Sequence, residues 1–114
     1  MKPALSQEGG ITEIALQNAE TLRQALGAPV RVELHMDPNG VEWYRTRAFY
    51  DTGDHHTFTG FGWGYTGEGP RGLASFCQQN DIPLTINEIE DLDNKSKALV
   101  WSWPSSPMGE PKVG

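Results

Sequence analysis

Apolar residues recur at helical spacing from Ile11 through Ile14, Ala15, Ala19, Leu22 and Leu26, with Asn18 and Ala25 on the same stripe. Gly27 and Pro29 stop the run in the order expected at a helix C-terminus, so the pattern predicts a helix over 12–26. The period then changes. Val30, Val32, Leu34 and Met36 alternate with Arg31, Glu33 and His35, the signature of a half-buried strand. Asp37-Pro38-Asn39-Gly40 reads as a turn, and Val41 to Tyr50 resumes with β-forming residues, predicting an antiparallel hairpin. Asp51-Thr52-Gly53-Asp54 makes a second turn, and Thr57 to Tyr65 a third strand weakened or bulged by glycine.

Pro70 to Asn80 places Leu73, Phe76 and Cys77 on one face of a short helix. Thr85-Ile86-Asn87-Glu88 fits a capping box for a helix over 86–92, with a strand over 84–90 as the rival. Ala98 to Trp103 reads as a last strand. The expected fold is α+β: an antiparallel sheet of about four strands, with an N-terminal helix and one or two further helices packed on it. Residues 1–10 are expected as a loose lead-in, 11–104 as one domain and 105–114, rich in proline, as a mobile tail.

Composition narrows the function classes. At 114 residues there is room for one domain. The net charge of −6 argues against direct nucleic-acid binding, which needs a basic face, and leaves room for a basic protein partner. One cysteine gives no internal disulfide, and no apolar run approaches the roughly 18 residues of a membrane span. A cytoplasmic protein is expected.

The densest signal lies at residues 58–74, where Gly60, Gly62, Gly64, Gly67, Gly69 and Gly72 alternate with Phe58, Phe61, Trp63 and Tyr65. The run reads as a sharp connection from strand to helix. Its alternative is an anion nest of Gly67, Gly69 and Arg71 for a phosphate or nucleotide, although the spacing is neither a phosphate loop nor a dinucleotide fingerprint. Other constellations are weak. His55 and His56 are adjacent and alternate in facing, so they and His35 make no metal set with Asp51 and Asp54. Cys77 sits among apolar residues, and no Gly-x-Ser-x-Gly elbow occurs. Glu88, Glu90, Asp91 and Asp93 form an acidic face suited to a basic partner. Trp101 and Trp103 share strand parity, so both face the core or both face outward.

At Phe61-x-Trp63-Gly64-Tyr65-x-Gly67-x-Gly69-Pro70-x-x-Leu73-Ala74 the chain resembles a family of small bacterial, phage and plasmid domains of uncharacterised function. Their core runs Phe-x-Trp-Gly-Tyr-Gly-Gly-x-Gly-Pro-x-x-Leu-Ala. This sequence departs from it at Thr66 and at Arg71-Gly72. The resemblance implies a similar local fold and no reaction, and it points to a phage or mobile element as source. The reading from sequence is therefore a non-enzymatic binder of another protein with no cofactor and no metal. Its partner would be a host nucleic-acid-binding or defence complex, which the chain inhibits. The expected contacts are Glu68, Arg71, Glu88, Glu90, Asp91, Asp93, Trp101 and Trp103. A phosphate- or nucleotide-binding protein and a structural homodimer built on the tryptophan strand are the alternatives.

Overall fold

The computed structural model describes residues 2–37, 43–95 and 98–104. Seven elements follow one another: α1 (Thr12–Leu26), β1 (Arg31–Met36), β2 (Tyr44–Phe49), β3 (His55–Phe58), α2 (Glu68–Gln79), α3 (Ile86–Glu90) and β4 (Leu99–Trp103). The strands form one antiparallel sheet in the order β3-β2-β1-β4. This is the expected α+β architecture, with the last strand returning to the edge beside the first.

Strand alternation divides the sheet into two faces. Val32, Leu34 and Met36 of β1 are buried, and the register places Ala48, Thr46 and Tyr44 of β2 beside them. His56 and Phe58 of β3 continue that face beyond β2, and Trp101 and Trp103 of β4 do so beyond β1. The opposite face is polar. There Glu33 accepts hydrogen bonds from Arg31 (2.8 Å) and pairs with His35 (2.8 Å), while Arg45 reaches Asp37 (2.8 Å). An antiparallel sheet with one packed and one polar face gives the alternation seen in β1.

Ala15, Ala19 and Leu22 of α1 and Leu73, Phe76 and Cys77 of α2 complete the core. Ile11 and Ala25, at the edges of the α1 stripe, are exposed. Phe58, Phe61 and Phe76 pack with ring centroids 5.3–5.5 Å apart. Trp63 is fully buried, with Tyr44 edge-on at 4.9 Å. Thr85 and Glu88 form the capping box, so 86–90 is helix and the rival strand is excluded.

Three elements differ from expectation. The third strand occupies His55–Phe58 rather than 57–65, because the backbone beyond Phe58 is bonded elsewhere. The N–H groups of Thr59 and Gly60 donate to the Glu8 carboxylate, and that of Gly64 donates to Ile89 O. The second helix begins at Glu68, two residues before Pro70, since the first-turn positions need no N–H donor. The lead-in is docked rather than loose: Leu5 packs on the core, Ser6 exchanges hydrogen bonds with Asn18, and Glu8 is buried. The Pro38-Asn39-Gly40 part of the hairpin turn and the 105–114 tail lie outside the described residues.

Candidate functional site

The docked lead-in builds one wall of a groove. Glu8 Oε1 accepts from the N–H of Thr59 (2.7 Å) and of Gly60 (3.2 Å), and Oε2 from Asn18 Nδ2 (3.0 Å) and His56 Nε2 (2.9 Å). An ionised carboxylate only accepts, so His56 donates through Nε2. Burial pushes the Glu8 carboxyl up, but these donors outweigh it and hold the group below the usual carboxylate range. One turn on, the Thr12 hydroxyl donates to Gly60 O (2.6 Å), so side chains from the first twelve residues take both backbone groups of Gly60.

Between this wall and α2 runs a groove of about 450 Å³. Gly9, Gly10, Thr12, Thr59 and Gly60 line it together with Trp43, Tyr44, Phe61, Tyr65, Glu68 and Gly69. Tyr65 folds back over glycine backbone: a Cβ at Gly62 would lie 2.6 Å, and one at Gly69 2.5 Å, from its hydroxyl oxygen. The glycine run thus seats an aromatic ring, which lies 5.9 Å from the Tyr44 ring. Burial and the neighbouring Tyr44 raise the Tyr65 phenol above its ordinary value, so it is neutral near pH 7. Trp43 and Tyr65 nevertheless remain 44% and 41% exposed.

The residues singled out from sequence fall in several places. Glu68 borders the groove and also an adjoining depression, lined by Glu13, Leu16 and Ser75, to which Arg71 contributes. Gly69 and Arg71, joined in the anion reading, therefore face different depressions, because two residues along a helix turn the side chain by about 200°. Gly67 caps α2 beneath the Tyr65 ring. Glu88 is engaged in the capping box, Glu90 is half-buried in α3, Asp91 caps its C-terminus, and Asp93 accepts from Lys95 N at 2.9 Å. This acidic segment adjoins the Tyr44 end of the groove through Asn94. The Asn94 amide nitrogen lies 3.2–3.3 Å from Tyr44 Oη and from the carbonyl oxygens of Trp63 and Gly64.

Trp101 and Trp103 pack half-buried against the core, so the outward tryptophan surface is not formed by their rings. Cys77 is buried, and its thiol is pushed up to about 12 by desolvation, which suppresses the nucleophilic thiolate. His55 stacks on Phe49 over the polar face, whereas His56 turns to Glu8. Among the described residues no three His, Cys, Asp or Glu side chains converge as metal ligands, and no helix is long and apolar enough to cross a membrane.

Sequence reasoning missed Glu8 and the mouth formed by Trp43, Tyr44 and Tyr65. The aromatic residues were visible, but their meeting depends on tertiary packing. Comparison with family models, curated proteins and solved structures gives no match, so the site stands on its own geometry.

Proposed function

We propose that the chain is a non-enzymatic binding module that takes a segment of a partner protein into the groove beside Tyr65. The observation carrying this reading is the pairing of two large exposed aromatics, Trp43 and Tyr65, with a preformed groove of about 450 Å³. Exposed aromatics beside a concavity are the usual anchors of protein interfaces. The acidic segment ending at Asp93 adjoins one end and favours a basic partner. The likeness to phage and plasmid domains adds, by analogy alone, a host nucleic-acid-binding or defence complex that the chain would inhibit in the cytoplasm.

Affinity capture from lysate of the source cells, with wild-type and Trp43→Ala baits compared quantitatively, tests the reading. A retained protein should fall by about tenfold or more with Trp43→Ala, the loss expected for an interface anchor. Equal recovery on both baits, or no protein above background, rejects it.

A second reading, self-association, is favoured by β4. It is an edge strand without a charged residue, Leu99-Val100-Trp101-Ser102-Trp103, and pairs only with β1 among the described strands. Such an edge lacks the usual protection against strand pairing. Light scattering should then report twice 12.6 kDa at high concentration, reverting to the monomer in Ser102→Lys. A monomer mass throughout the concentration range removes this reading.

A further inference from the structure

The groove is chemically one-sided. Its aromatic residues are Trp43, Tyr44, Phe61 and Tyr65, and among the described residues the one charged side chain lining it is Glu68, with no lysine, arginine or histidine. Glu68 is exposed and has no hydrogen-bond or ion-pair partner among the described residues. Its place in the first turn of α2 offsets the helix dipole, but that role does not require aromatic neighbours. Aromatic faces and a carboxylate together are the chemistry that binds an ammonium or guanidinium group.

The remaining surface divides charge differently. Arg31 is paired with Glu33 and Arg45 with Asp37 on the open face of the sheet, so much of its positive charge is internally answered. Glu68 gives the groove its negative charge in a chain of net charge −6, while Arg71, one turn along α2, lines the adjoining depression that Glu68 also borders. An anionic occupant would meet Glu68 directly. An apolar occupant would leave Glu68 facing it without compensation.

We infer that the groove holds the cationic side chain, lysine or arginine, of a basic segment of the partner, over the aromatic rings and against Glu68. The inference rests on the partner-binding reading and names the partner's chemistry. The backbone of Gly9 and Gly10 borders the same space, so an extended segment carrying that side chain has polar groups to meet there.

The test uses the full chain, labelled with ¹⁵N, titrated with hexa-arginine amide and with hexa-lysine amide as probes. Shifts should concentrate on the Trp43 indole and on the amides of Gly60, Tyr65 and Gly69, and should saturate. Glu68→Gln should weaken binding by about tenfold and Trp43→Ala by about threefold. Asp51→Asn, which removes the same charge from an exposed turn outside the groove, should leave the affinity unchanged. Hexa-acetyl-lysine amide should produce no groove shifts.

Equal weakening by Glu68→Gln and Asp51→Asn, or shifts spread over the whole acidic surface, would mean general attraction to an acidic chain and would overturn the inference. So would binding of the acetylated peptide as well as the basic ones. If these titrations fail while Trp43→Ala still abolishes capture of a partner, the partner-binding reading stands and only its cationic chemistry falls. If capture is also insensitive to Trp43→Ala, both fall.

Discussion

Gly72→Ala should destabilise the fold by about 1–3 kcal/mol, although alanine is the better helix former by about 1 kcal/mol. Gly72 lies within α2 and is buried where that helix meets α1. A Cβ there would overlap Thr12 Cγ2 and come to 3.3 Å from Phe61 Cδ1. The threonine has little freedom to turn its methyl away. Its hydroxyl is held by Gly60 O at 2.6 Å, and rotation would sacrifice a buried hydrogen bond worth about 1 kcal/mol. Steric overlap therefore outweighs helix propensity.

Thr12→Ser keeps the hydroxyl and removes the offending methyl. The double variant should recover at least about 1 kcal/mol relative to the sum of the single effects, measured by urea unfolding. A Gly72→Ala protein as stable as wild type, or strict additivity in the cycle, would show that the helices shift apart without cost. The same measurement bears on the groove, because Thr12 lines it and Gly72 fixes how closely α2 approaches that wall.

How much could be read beforehand follows from the range of each signal. The helix Thr12–Leu26 and the strand Arg31–Met36 were legible because local periodicity and local stop signals determine them. The capping-box pattern, set by side chains three residues apart, pointed to a helix from Ile86 but left a strand over 84–90 as rival, and the structure decides for the helix Ile86–Glu90. Parity placed Trp101 and Trp103 on one face. It could not say which face, since that depends on pairing with Val32 and Leu34, about seventy residues earlier.

The third strand was misjudged at its end for a similar reason. Thr59 and Gly60 have strand-like neighbours, yet their N–H groups are claimed by a carboxylate 51 and 52 residues away. The groove shows the limit most plainly. Its walls come from four separate stretches, around Gly9, Trp43, Gly60 and Tyr65, and no period or spacing links them. The glycine run revealed that backbone had to come close to something. Only the fold shows that part of that something is the Tyr65 ring.

Glu8→Ala should be the most damaging single change to a polar residue, costing about 3–5 kcal/mol, because it leaves several buried donors without their acceptor. The carboxylate is 5% exposed and accepts four hydrogen bonds. Truncation leaves the N–H groups of Thr59 and Gly60, the Asn18 amide and His56 without their acceptor. Those groups join β3 to α1, so the loss is shared by both elements.

The pH dependence separates this from a simple packing defect. The folded-state pKa of Glu8 lies below its unfolded value, so the folded state favours the ionised form. Its contribution is fully present above the unfolded pKa, near 4.3, and is lost as pH falls through the lower folded value. Glu8→Gln removes the charge while retaining much of the shape. The stability gap between wild type and Glu8→Gln should therefore shrink steadily below about pH 4, as wild-type Glu8 takes up its proton. Unfolding curves at several pH values measure the gap. A gap that stays constant into acid would mean that Glu8 acts by shape alone. A gap that widens would mean that burial had raised its pKa, and the four-donor cradle would not be the anchor of the N-terminal segment.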